Sequence, residues 1–149
     1  MKQYLLSLIL IASAFYATAQ KGVSGLWEGT MTFGGLESSK TYPFELWLEQ
    51  KGSKLRGKSY IHLDDGQVVQ MSVEGKIYSD RSMSFEDVEF IASEGQLPPT
   101  FTRRYQLIHK RGIYDAGLEG YWQEITPQVL SQQRQLGRIS LKKAKGSKA

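Results

Sequence analysis

The sequence predicts an all-β protein, an eight-stranded antiparallel up-and-down barrel, and three observations lead there. From Ser24 onward the apolar residues recur with period two rather than 3.6. Gly- or Asp-containing punctuation interrupts the alternation at hairpin spacing, roughly every ten residues. The segments so delimited number about eight, and pairing the first with the last removes the exposed edges an open meander would leave. A two-sheet sandwich is the alternative arrangement of the same strands.

The first 19 residues stand apart from this pattern. Lys2 gives a positive start, Tyr4 to Phe15 an apolar stretch, and Ala17-Thr18-Ala19 a small-residue cleavage pattern. Together they predict an export signal at 1–19, a mature chain from Gln20, and a periplasmic or extracellular location. The apolar stretch is too short to span a bilayer, which needs about 20 residues, so no membrane span is expected. One barrel domain is expected over 20–143, with 144–149 a frayed basic tail. The chain has no Cys, so neither disulfides nor cysteine acylation can support it.

The strands follow in order. The first covers Leu26 to Phe33, with Trp27, Met31 and Phe33 on one face, and Gly34-Gly35 ends it. The second, Tyr42 to Gln50, turns Phe44, Leu46 and Leu48 inward and Glu45, Trp47 and Glu49 outward. After the Lys51-Gly52-Ser53 turn, the third carries Leu55, Gly57, Ser59, Ile61 and Leu63 on one face. Asp64-Asp65-Gly66 is a hairpin signal. The fourth points Val69, Met71, Val73 and Ile77 inward. The fifth, Ser82 to Ile91, changes its inward register between Phe85 and Val88, which predicts a bulge. A Pro-containing loop over 93–100 leads to a sixth strand, Phe101 to His109, and the Lys110-Arg111-Gly112 turn to a seventh, from about Ile113 to Gln123. Thr126-Pro127 resembles an N-cap before a short helix over 127–134. Leu136 to Leu141 is the eighth strand.

Gly25-Leu26-Trp27 at the start of the first strand, the eight-strand meander, and a basic residue in the closing strand, Arg138, together resemble the calycin group of barrels, which contains the lipocalins and avidins. The resemblance implies that Trp27 packs across the closed end of the barrel beneath Arg138, a structural pair, and it assigns no ligand residues. The chain departs from the common lipocalin pattern in placing Glu28 after the Trp, in lacking a second motif between the middle strands, and in having room for only a short helix. Independently of the family, Trp27 belongs to the core.

Charge narrows the partners. Lys and Arg number 19 and Asp and Glu 15, a formal charge of +4, and loss of Lys2 with the leader lowers it by one. Much of the excess sits in Lys142, Lys143, Lys145 and Lys148. Basic and acidic residues otherwise interleave, so no nucleic-acid partner is expected. Outward Glu45, Glu49, Arg56, Lys58, Glu74 and Lys76 do not suit a lipid-facing surface.

An eight-stranded barrel is either filled by its own side chains or holds one small ligand. Gly29, Gly57, Ser59, Gly75, Ala116 and Gly120 in inward register would leave space or relieve curvature. Phe33, Phe44, Leu46, Met71, Phe85, Leu107 and Trp122 would fill that space or line a pocket. On the sixth strand Phe101, Arg103, Tyr105, Leu107 and His109 share a face, so Arg103 and Tyr105 are the polar anchors of an interior site. An inward Arg receives a carboxylate or sulfate with two parallel hydrogen bonds. The candidate ligand is small and apolar or amphipathic, bound by Arg103, Tyr105, Phe44, Leu46, Met71 and Trp122. The competing arrangements place Arg103 at the rim, paired with Glu86 or Glu89, or give the inward position to Arg104.

Other chemistries have less support. Glu86, Asp87 and Glu89 lack the spaced loop of a calcium site and read as a solvated strand face. His62 and His109 lie on different strands without Cys companions, so no metal and no cofactor is expected. Ser59 and Ser84 have no nucleophile-elbow motif. No catalytic residue is assigned, although an enzyme at the barrel mouth would be built on Arg103, Tyr105 and His109. Outward Trp47, Tyr60 and Tyr121 are candidates for a carbohydrate- or protein-binding patch, and the Trp47 and Tyr60 region for the protein contact of a filled barrel in the cell envelope.

Overall fold

The computed structural model describes residues 22–125 and 135–146. Eight strands follow one another: β1 Gly25–Thr32, β2 Thr41–Lys51, β3 Lys54–His62, β4 Val68–Ile77, β5 Ser82–Ile91, β6 Thr102–Arg111, β7 Ala116–Ile125 and β8 Leu136–Lys143. Each pairs antiparallel with its sequence neighbours, and β1 pairs with β8 to close the barrel. No helix occurs among the described residues, and none there is long and apolar enough to cross a membrane. The predicted leader over 1–19 and helix over 127–134 lie outside the described residues.

Alternation does the building. In β2, Tyr42, Phe44, Leu46 and Leu48 are buried while Trp47 and Glu49 are exposed. β3, β6 and β8 repeat the pattern, and the inward sets merge into one core containing Trp27, Met31, Phe85, Leu107, Leu118, Trp122 and Ile139. Trp27, Phe44 and Tyr105 have no exposed surface at all.

Two of the eight strands carry irregularities. The register between β4 and β5 shifts, with Ser72 opposite Glu89 and Val73 opposite Asp87. Val88 is the extra residue and is exposed, so the bulge lies where the sequence reading puts it. Strand β7 begins at Ala116, not at Ile113. Strand β6 runs on to Arg111, which pairs with Ala116, so residues 112–115 form the turn and Ile113 and Tyr114 are exposed. At the other end of the chain Ala144, expected in the tail, still donates its N–H to the Leu26 carbonyl at 2.9 Å.

The inward glycines do not create space. A side chain at Gly57 or at Gly120 would strike the neighbouring strand's main chain, the Trp47 carbonyl in one case and the Gln106 carbonyl in the other. These positions let the sheet bend sharply enough to close.

The two ends of the barrel differ. At one end the connections are short: Gly52-Ser53 between β2 and β3, residues 78–81, and residues 112–115. Arg81, in the second of these, has φ of 68°, the left-handed region that costs a non-glycine residue about 1–2 kcal/mol. At the other end residues 33–40 join β1 to β2 and residues 92–101 join β5 to β6, longer connections than those of the first end.

Candidate functional site

The polar interior lies at the long-loop end. Alternation along β6 buries Arg103, Tyr105, Leu107 and His109 and leaves Arg104 half-buried outside. Arg104 pairs with Glu86 across the β5–β6 ladder, Nη2 to Oε1 at 2.6 Å, which assigns the inward position to Arg103. Strand β5 uses the same parity, so Met83, Phe85 and Asp87 all point inward.

Asp87 is therefore not part of a solvated face. Its carboxylate accepts the Arg103 backbone N–H at 3.0 Å and the Tyr105 hydroxyl at 2.9 Å, and lies 3.5 Å from Arg103 Nη1. The bulge explains the correction: Met83, Phe85 and Asp87 keep strict alternation, and the register changes only at Val88. Glu86 faces Arg104 and Glu89 is exposed, so the three acids do not converge. Among the described residues no group of three His, Cys, Asp or Glu side chains is placed to hold a metal ion.

Burial dominates the electrostatics. Desolvation pushes the Asp87 carboxyl above its usual range, against the opposing pull of Arg103 and the hydrogen bond from Tyr105. The buried phenol of Tyr105, facing that carboxylate, is pushed far up and stays a neutral donor. The buried Ser59 hydroxyl lies beside the Tyr105 hydroxyl.

Arg103 sits in an aromatic box. Its guanidinium carbon lies 5.0 Å from the Phe101 ring centre, 5.4 Å from Trp122 and 5.7 Å from Phe33, within cation–π range of all three. Trp122 is fixed by its own hydrogen bond, Nε1 to the Thr32 carbonyl at 2.9 Å, and stacks on Phe101. Within the box, Arg103 Nε and Nη1 are buried with no hydrogen-bond partner. Buried donors of this kind ordinarily find one. The 92–101 loop is tied to the start of neighbouring β4, where the Gln96 side chain donates to the Val68 carbonyl at 3.0 Å.

Below Arg103 the lumen is filled. Phe44 on β2 and Tyr105 on β6 belong to opposite walls, yet their rings stack at 6.1 Å, and Phe85 stacks on Tyr105 at 4.8 Å. Leu46 is buried in the same core, and Met71 is buried on β4 outside that cluster. Of the predicted site residues, the structure thus brings Arg103, Tyr105 and Trp122 together and places Phe44, Leu46 and Met71 in the packed interior.

His109 does not join them. It shares the inward face of β6 but lies six residues away, about 20 Å along the strand, where its ring meets Trp27 edge-on at 5.6 Å. The triad of an enzyme at the mouth is not assembled. Outside, Trp47 and Tyr121 are exposed and Tyr60 is half-buried. His62 reaches Glu45 at 3.2 Å.

The expected pairing of Trp27 with Arg138 is also corrected. Strand β8 runs antiparallel to β1, so Trp27, near the start of β1, faces the end of β8: its register partner is Lys143, whose Nζ lies 5.6 Å from the indole. Arg138 lies at the opposite end, points outward, and reaches Glu37 at 3.4 Å. Trp27 Nε1 donates to the Val23 carbonyl at 2.8 Å.

Comparison of this chain with protein-family models, with curated proteins and with solved structures returns no match.

Proposed function

We propose that the protein is an exported, calycin-like binding barrel that takes a small amphipathic ligand at the long-loop end, with Arg103 receiving an acidic head group. The observation that carries this reading is the Arg103 guanidinium: buried, boxed by Phe33, Phe101 and Trp122, with no hydrogen-bond partner at Nε and only the 3.5 Å ion contact to Asp87 at Nη1. An acidic head would satisfy those donors, and an apolar body would lie against the rings. Phe44, Phe85 and Tyr105 form the floor, so the ligand occupies the mouth and not the depth of the barrel.

The filled lumen favours a second reading, a cell-envelope interaction module without a ligand, meeting a protein through the outer face where exposed Trp47 lies diagonal to Tyr60 across β2 and β3. One experiment separates the two. Residues 20–149 are titrated with decanoate and with decanol while tryptophan emission is followed. Saturable binding of decanoate, weaker binding of decanol, and loss of the preference in Arg103→Met support the mouth site. Absence of binding by either probe rejects it in favour of the interaction module.

A further inference from the structure

The short-turn end of the barrel carries a chemistry of its own. An open cleft of about 340 Å³ lies there between the start of the described chain and the ends of β4 and β6. Its charged lining is wholly cationic. Arg81 enters from the 78–81 turn, its carbonyl accepting the His109 N–H at 3.0 Å, and Arg111 from the end of β6, and no Asp or Glu lines the cleft. Val23, Ile77 and Tyr78 supply apolar wall.

Positive charges gathered without counter-charge need an explanation. Among the described residues neither Arg81 nor Arg111 has an ion-pair partner, and neither has Lys143, which reaches the same end over Trp27. The neighbouring acid in the turn is occupied: the Asp80 carboxylate accepts from the Ser82 N–H at 2.9 Å and the Ser82 hydroxyl at 2.6 Å. Arg81 moreover holds a left-handed backbone conformation that glycine would adopt without strain. A strained residue that also projects a cation into a cleft is a functional candidate.

We propose that this cleft is an oxyanion site, binding the phosphate or sulfate group of a small molecule between the Arg81 and Arg111 guanidinium groups. Guanidinium forks match tetrahedral oxyanions with paired, charge-assisted hydrogen bonds. The body of such a molecule would lie against Val23, Ile77 and Tyr78. The site rests on none of the Arg103 chemistry.

His109 reports on the site. Burial and the positive charges of Arg111, Arg81 and Lys143, from β6, the 78–81 turn and β8, hold its pKa below the usual range, and Trp27 of β1 covers its ring. A bound dianion opposes that field and raises the His109 pKa.

The test is an NMR titration of the mature chain, residues 20–149, following the His109 ring resonance against pH with inorganic phosphate, with phenyl phosphate, and with chloride alone. The expected result is saturable binding accompanied by an upward move of the His109 titration. Tighter binding of phenyl phosphate identifies a phosphorylated small molecule as the occupant, and equal binding identifies the free ion. Arg81→Gly, which suits the turn, should keep the fold and weaken binding about tenfold, and Arg103→Met should leave it unchanged. An unmoved His109 titration at saturating probe, or a folded Arg81→Gly variant with unchanged affinity, overturns the proposal.

Discussion

The Tyr105 hydroxyl donates to the Asp87 carboxylate at 2.9 Å inside the closed barrel. That contact and the Arg103 backbone N–H anchor an acid beneath a buried guanidinium. Removing the acid alone strands the guanidinium, and breaking a buried pair in this way costs about 3–5 kcal/mol. Asp87→Ala should lower stability by that amount in urea unfolding. The double variant Asp87→Ala with Arg103→Met should lose less than the sum of the two single losses, because neither charge is then left alone.

Asp87 also links stability to pH. Its carboxyl titrates above the ordinary value of 3.8 in the folded protein. Between that value and the folded pKa the folded state holds a proton the unfolded chain has lost, so stability from this group is greatest below 3.8 and declines as pH rises through the folded pKa. Comparing the stability of wild type and Asp87→Asn against pH should show the difference changing in that window. A constant difference would show that the carboxyl is not perturbed.

His109 acts with the opposite sign. Its folded pKa lies below 6.5, so as pH falls below that value the unfolded chain takes up a proton that the folded ring does not, and stability declines toward acid. His109→Gln should flatten the stability profile on the acid side of 6.5, measured by thermal unfolding at fixed ionic strength.

The closed end separates two basic residues of β8. Trp27→Ala should cost about 3–5 kcal/mol through loss of a large buried side chain. Lys143→Met should cost about 0.5–1 kcal/mol as the cation–π contact over the indole goes, whereas exposed Arg138→Ala should stay within about 0.5 kcal/mol. Chemical unfolding of the three variants would order them. A larger loss at Arg138 than at Lys143 would contradict the observed pairing.

Much of the barrel was legible because period-two alternation is strong in β2, β3 and β6, and the turn residues between them are explicit. The bulge was legible too, but its consequence was misjudged. Met83, Phe85 and Asp87 alternate without a break, yet a carboxylate after two apolar residues reads as a change of face. What justifies its inward place is the Arg103 guanidinium on the next strand, and a pairing between separated segments has no local signature. The same holds for Lys143: the antiparallel direction of β8 fixes which basic residue reaches Trp27, whereas the calycin resemblance pointed to Arg138. Arg81 gave no signal, since its backbone conformation emerges only with the closed turn.

The seam between β1 and β8 joins the two extremities of the described chain, Trp27 to Lys143. Closure cannot begin until the final strand has been delivered, so a chain still being made stays an open sheet with a bare edge until β8 is available. Such late, long-range pairing places folding on the slow scale of milliseconds to seconds. During that interval the unpaired edge of β1 offers a template to other chains, and a factor that shields extended edges while the chain folds would serve this protein more than one that stabilises its finished form.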